Sequence, residues 1–328
     1  MIVEKRASWI FLAALALSIL KSPGCQAAVG SPGGSVQPGT EIANSTPAPS
    51  VTLALLGDVM LGRDVHPTPE TFTYLKPFLT FADLALANLE SPLTDAPAQS
   101  DSPYLLCTPP ENVRYLADAG FDYLSLSNNH RLDCGTDGLL ETQETLADAE
   151  LGFIGPDPEP VYRTINGIQL ALLAFDATTD FDLEAAVRAV RTAREAGYLV
   201  IVSMHWGAEY QAGPSTRQTQ IAQGLADAGA ALLWGHHPHV LQPSAWLIQE
   251  TSMGDHRTLV FYSLGNALFD QHGLEATRRS ALALVTLGAS GVEDFKVIPF
   301  LIDNDAGHAS RVVPAGQSDA EIIEGYFE

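Results

Sequence analysis

The chain has 328 residues, 46% of them hydrophobic, with 17 basic and 39 acidic side chains and a formal charge of -22. The apolar share indicates a globular protein with a packed core. The acidic balance excludes a broad basic patch, so no nucleic-acid partner is expected, and an anionic substrate would need a local positive centre.

Residues 1–25 read as an export signal. Lys5 and Arg6 precede an apolar run from Trp9 to Leu20 that is too short for a comfortable membrane span. Ser22-Pro23-Gly24-Cys25 resembles a bacterial lipoprotein cleavage site, with Ser22 where leucine is usual. Ordinary cleavage after Ala27 or Ala28 is the alternative. Residues 26–50 are rich in Gly, Ser, Pro and Thr and form a flexible linker rather than a fold. The expected location is extracytoplasmic, in the cell envelope, with a lipid anchor or signal segment at the membrane.

From Val51 the pattern becomes regular. Val51 to Leu56 is an apolar run ending in Gly57-Asp58, the signature of a strand covered on both faces. Pro69 to Phe81 has helical spacing that Pro77 should interrupt. Asp83 to Ala87 is strand-like and ends in Asn88-Leu89-Glu90. Pro109-Pro110-Glu111 opens a helix that closes at Leu116-Ala117-Asp118-Ala119-Gly120, and Phe121 to Ser127 is the strand beyond. The same succession recurs at Leu146 to Ile154 and at Leu225 to Trp234: a helix, usually ended by glycine, then a buried strand.

Later strands are expected at Gln169–Phe175, Tyr198–Met204, Thr258–Leu264, Ser280–Leu287 and Asp294–Leu301, with helices at Leu183–Ala196 and Ser215–Ala228. The spacing predicts one α/β domain over residues 51–313, parallel at its start and antiparallel towards its end, followed by a tail over residues 314–328. Cys107 and Cys134 either pair as a disulfide or sit as small buried apolar groups; their spacing leaves both open.

The strand ends carry the chemistry. Asp58, Glu90, Asn128-Asn129-His130, His205 and His236-His237-Pro238-His239 each follow an apolar run. In open α/β sheets ligands bind at the carboxyl ends of strands. Each residue alone has an ordinary reading. Asp58 can cap a turn, Glu90 can be a solvated loop carboxylate, Asn129 can bond its own backbone, and His205 can be a satisfied core histidine. Together they supply the oxygen and nitrogen donors of a two-metal hydrolytic centre.

Gly57-Asp58-Val59-Met60-Leu61-Gly62-Arg63, Ala87-Asn88-Leu89-Glu90, Ser125 to His130, Met204-His205-Trp206-Gly207, Gly235 to His239 and Tyr262 to Asn266 stand in order along the chain. This series resembles the CapA family of capsule or poly-γ-glutamate biosynthesis proteins, within the calcineurin-like metallophosphatase superfamily. The resemblance implies a four-layer α-β-β-α sandwich. It also implies two divalent ions (Mn, Fe or Zn) held by Asp58, Glu90, Asn129, His205, His237 and His239, with Glu90 bridging. His130 is then the acid or phosphate-contacting group, with Asp133 orienting it. Arg63 would clamp an anionic group and Asn128 would donate to it, while His236 supports the ligands. Met60 stands where many superfamily members carry a histidine, so the first metal site is expected to be weak or vacant.

The implied chemistry is metal-assisted hydrolysis of an anionic small molecule or polymer. The alternative is a non-catalytic accessory protein serving the membrane proteins of polyglutamate or capsule assembly. Fold alone does not decide between them.

Overall fold

The run that begins at Val51 forms β1 (Val51–Val59), and its alternation decides the layout. Leu53 and Leu55 enter one apolar cluster while Ala54 and Leu56 enter another, so both faces of the strand are covered. The computed structural model describes residues 48–99, 104–249, 256–271, 273–303 and 310–327. The expected signal segment, Cys25 and nearly all of the linker lie outside the described residues.

Three strands run parallel to β1 on one side: β2 (Leu84–Leu89), β3 (Tyr123–Ser125) and β4 (Gly152–Ile154). On its other side lie β12 (Arg279–Gly288), β13 (Gly291–Asp303) and β14 (Arg311–Pro314), joined antiparallel. The short β11 (Asn266–Leu268) pairs with the end of β1. A second sheet has the order β5 (Val161–Ile165), β6 (Ile168–Asp176), β7 (Leu199–His205), β8 (Ala230–His236), β10 (His256–Leu264), β9 (Leu241–Gln249). Its four central strands are parallel and its two edges antiparallel.

Packing follows the strand alternation. Leu53, Leu55 and Leu86 of the first sheet share a cluster with Leu170, Leu172, Ile201, Leu232 and Phe261 of the second. Another cluster joins Ala54 and Leu56 to Leu79 of α1 (Lys76–Phe81), Leu116 of α2 (Val113–Ala119) and Leu146 of α3 (Gly135–Asp148). A third packs Val190 of α4 (Leu183–Glu195) and Leu225 of α5 (Thr216–Asp227) against Val202 and Leu233. Local signals set the helix ends. A reciprocal Ser215–Gln218 capping box starts α5, the Asp182 side chain accepts from the Ala185 amide before α4, and Gly120 ends α2 at φ 95°.

Three expectations need correction. Pro77 does not interrupt a helix; it sits in the first turn of α1, where its missing N–H is no loss, and the residues before it form turns. β3 is shorter than the Phe121–Ser127 run, because the chain turns away at Leu126 towards the strand ends. Residues 314–328 are not a free tail. They contain α6 (Gln317–Glu324), whose Ile323 is fully buried, and Phe327, whose ring lies 5.9 Å from that of Phe261. The boundary at 313 falls inside β14. Replacing Ile323 with Ala is expected to cost about 2–5 kcal/mol in equilibrium urea unfolding. An unstructured tail would leave the midpoint unchanged.

Candidate metal centre

Two glycines allow close backbone approach at this edge, Gly57 between β1 and the chain joining β10 to β11, and Gly235 between the neighbouring strands β8 and β10. A Cβ at Gly57 would stand 1.7 Å from the Gly265 carbonyl oxygen, and one at Gly235 would stand 2.2 Å from that of Tyr262. Only glycine fits either crossing. β1, β7 and β8 therefore end side by side and deliver Asp58, His205 and His236 into one buried cluster, with Glu90 reaching in just after β2.

Asp58 is fully buried and well held. It accepts from Asn88 Nδ2 at 2.8 Å and from the His237 backbone N–H at 3.0 Å, and His239 Nδ1 lies 3.4 Å from Oδ2. Burial pushes its pKa up, but hydrogen bonding to His239 and the charges of the neighbouring imidazoles outweigh that and hold it at about 2.

Glu90 is buried just as completely, yet neither carboxylate oxygen has a hydrogen-bond partner. Three ring nitrogens, Nε2 of His130, His205 and His239, each lie 3.8 Å from Oε1. That gap is too long for a hydrogen bond. Donors about 2.1 Å from a shared ion can stand up to roughly 4.2 Å apart, so an ion fits where a hydrogen bond does not. His237 Nδ1 is another buried atom without a partner. Both His237 (φ 94°) and His239 (φ 58°) hold left-handed backbone, a strained conformation for non-glycine residues that gathers at functional sites.

The donors fall into overlapping sets. Asp58, Glu90 and His239 form one, and Glu90, His205 and His237 another. Both sets share Glu90, as a bridging carboxylate requires. Asn129 Oδ1 lies 2.6 Å from His205 Nε2, beside the second set. A further set, Asp58, His205 and His236, was not expected. Met60 is fully buried in apolar surroundings, and its sulfur accepts from the Gly62 amide at 3.1 Å, so it adds no hard donor to the first set.

His130 Nδ1 lies 2.9 Å from Asp133 Oδ2, which also accepts from the Leu106 amide at 2.8 Å. Cys107 and Cys134, each next in sequence to one of those anchors, are joined as a disulfide. This leaves His130 Nε2 turned towards Glu90.

Two assigned roles are corrected by placement. Asn128 is buried, donates to the Leu89 carbonyl at 2.8 Å and Asn88 Oδ1 at 3.2 Å, and accepts from the His130 amide at 3.1 Å. It ties loops together and has no donor left for a substrate. Arg63 directs its guanidinium at Asp270, with Nε 2.8 Å from Oδ2, and lies over the Phe269 ring. Its anion-clamping face is occupied by a carboxylate.

Other residues at the site had no role assigned from the sequence. Asn88 and Asn266 buttress Asp58 and His239, the latter by a 2.8 Å contact to Nδ1. Arg131 bridges the Asn128 carbonyl and Asp176 at the end of β6. Tyr210 donates its N–H to the Pro238 carbonyl and rests its ring 6.3 Å from that of His239; burial and Glu209 push its phenol up to about 12. The Glu209-Tyr210 pair, one residue beyond Met204-His205-Trp206-Gly207, was the available signal for that loop.

Burial and neighbouring imidazoles lower the pKa of His205, and burial takes His236 and His237 down to about 4. Burial also opposes charge on His239, but Glu90 and Asp58 overcome it and raise it to about 9. Burial and the Asp58 charge push Glu90 well above the usual carboxylate range. Glu90 and His239 thus compete for one proton, and a cation in its place would satisfy both.

The fold and the cluster define a mixed α/β protein whose two sheets present buried carboxylates and imidazoles suited to divalent cations. Residues 52–271 match the family described as Bacterial capsule synthesis protein PGA_cap. The chain is 33% identical over 278 residues to the PGA biosynthesis protein CapA of Bacillus subtilis (strain 168), covering 76% of this chain and 71% of that protein. It is 32% identical over 286 residues to the Capsule biosynthesis protein CapA of Bacillus anthracis, covering 77% and 67%. The crystal structure of a hypothetical protein from Thermus thermophilus shares the fold, with a TM-score of 0.50 at 17% identity over 76% of this chain and 99% of that one. The chain belongs to the PGA_cap family, the CapA family of bacterial capsule synthesis proteins.

A divalent cation must displace the proton on His239, whereas His236 and His237 are already neutral at pH 7. Cation affinity is therefore expected to rise with pH up to about 9 and to level off above it. Calorimetric titration with Mn or Zn at pH 7 in buffers of different ionisation enthalpy should show proton release. Binding with no buffer dependence would contradict this.

Proposed function

We propose that this protein serves capsule or poly-γ-glutamate biosynthesis as a metal-dependent hydrolase of an anionic substrate, a phosphoester or a polymer intermediate. The observation that carries this reading is Glu90, buried with both oxygens unpartnered and faced by three imidazole nitrogens. The family relation supports the process. The three apolar clusters, one shared by the two sheets, support the four-layer arrangement of the metallophosphatases. The export-type N-terminus supports work in the cell envelope, with a lipid anchor at Cys25.

Two cations in this centre would acidify a bound water and offset negative charge on the substrate. Asp58, Glu90 and His239 would hold one, and Glu90, Asn129, His205 and His237 the other. The rest falls to the protein's own groups. Asp133 accepts from His130 Nδ1 and fixes that ring, so His130 Nε2 is the nitrogen free to give a proton to a leaving oxygen. Asn88 and the His237 amide hold the Asp58 carboxylate in place.

The second reading is an accessory protein of the polyglutamate or capsule assembly machine that binds without hydrolysing. The Arg63–Asp270 pair favours it, because the cation assigned to clamp the substrate is already neutralised.

His237→Ala is expected to lose most bound Mn, Fe or Zn together with hydrolysis of a generic phosphodiester. His130→Ala should keep its metal while turnover falls by about 10²–10⁴-fold. Unchanged metal content in His237→Ala would overturn the centre. Cation-loaded wild-type protein that never turns over would favour the accessory reading.

A further inference from the structure

His130 takes its orientation from Asp133, and Asp133 is held in two ways. Its backbone N–H donates to the His130 carbonyl at 3.0 Å, and its carbonyl accepts from the Gln99 amide at 2.9 Å. Those bonds place the main chain and leave the carboxylate free to turn. The carboxylate is fixed from outside the turn by the Leu106 amide, which donates at 2.8 Å to the same Oδ2 that faces His130 Nδ1. The segment that carries Leu106 therefore decides where the His130 ring sits.

That segment is lightly tied. Among the described residues, Leu105, Leu106 and Cys107 take part in no backbone-to-backbone hydrogen bond. Such bonding starts at Thr108, which donates to the Pro92 carbonyl and accepts from the Thr94 amide. The Leu106 side chain is fully buried, which sets the depth of the segment but not the direction of its N–H. The Cys107–Cys134 disulfide supplies what is missing. One sulfur belongs to the residue after Leu106 and the other to the residue after Asp133, so the bond clamps that donor and acceptor together.

The cation donors do not lean on this clamp. Asp58, Glu90, His205, His237 and His239 come from other elements, and Asn128 anchors the turn that carries Asn129 to Leu89 and Asn88. We propose that the Cys107–Cys134 disulfide positions His130, so that turnover requires the oxidised chain while cation binding does not. Cys107 is part-exposed and Cys134 is 2% exposed, which gives a reductant one way in. A dithiol's thiolate attacks the Cys107 sulfur, and the S–S bond breaks with Cys134 leaving as a thiolate that takes a proton. The second thiol of the reductant then closes it into a disulfide and releases Cys107 as a thiol. Two electrons pass from the dithiol to the protein. Oxidising compartments keep such a bond closed, so the clamp holds His130 ready only where the chain is exposed to one.

This inference rests on the hydrolase reading above, in which His130 gives the proton, and its test separates the two. Amide hydrogen exchange is followed on the metal-free full chain before and after reduction with dithiothreitol. Reduction should speed exchange at Leu106 by about 10-fold while the amides of β1 keep their protection. After the reductant is removed without air, Mn is added. Mn content should match that of the oxidised protein, while kcat for a generic phosphodiester falls on the order of 10-fold at unchanged KM. Reoxidation should restore it. Oxidised Asp133→Ala should show a similar loss, and reducing that variant should add nothing further. Unchanged exchange at Leu106, a further loss on reducing Asp133→Ala, or Mn lost along with turnover overturns the inference. So does loss of protection in β1 together with Leu106, which would make the disulfide a general staple. Oxidised, Mn-loaded protein that never turns over sinks the hydrolase reading, and exchange at Leu106 still decides the clamp.

Discussion

Glu90 sets the problem that the surrounding structure answers. Its carboxyl group is buried, both oxygens lack a hydrogen-bond partner, and Asp58 is a second carboxylate in the same cluster. An unpaired charge taken from water costs several kcal/mol, and removing one partner of a buried pair costs as much again. Three imidazoles 3.8 Å away do not relieve it, because they stand beyond hydrogen-bond reach. A cation does relieve it. The nearby asparagines, the left-handed turn at His237 and His239 and the Asp133–His130 contact all aim donors at that space.

The fold makes this juxtaposition possible at little cost in core packing. β1 and β2 come from one sheet, β7 and β8 from the other, and their carboxyl ends converge near Gly57, which lets β1 touch the chain at Gly265 as it leaves β10. Behind that edge the strands are buried on both faces by aliphatic side chains, so the polar cluster sits on a rigid platform. Distant loops are pinned from outside. Arg131 holds the loop after β3 to the end of β6, and the Cys107–Cys134 disulfide fastens the segments whose backbone and side chain orient His130.

Much of this was legible in the sequence, for a physical reason. Parallel strands buried on both faces read as continuous apolar runs, so a polar residue at each run's end stands out, as Asp58, Glu90 and His205 do. What failed to read were interactions set by three-dimensional neighbours. Arg63 finds Asp270, 207 residues away, and Asn128 spends its amide on Leu89 and Asn88. Neither partner can be inferred from local spacing. The edge strands β5 and β9 carry mixed burial and lack the continuous apolar run, and α6 is short and mostly exposed.

The central claim is that the Glu90 cluster exists to hold divalent cations. Its most direct test is an anomalous-scattering map from crystals of the purified protein grown with Mn or Zn. The account predicts density about 2.0–2.2 Å from Glu90 and the imidazole nitrogens of His205, His237 and His239. A map with no anomalous peak at Glu90, at cation concentrations that saturate binding in solution, would contradict it.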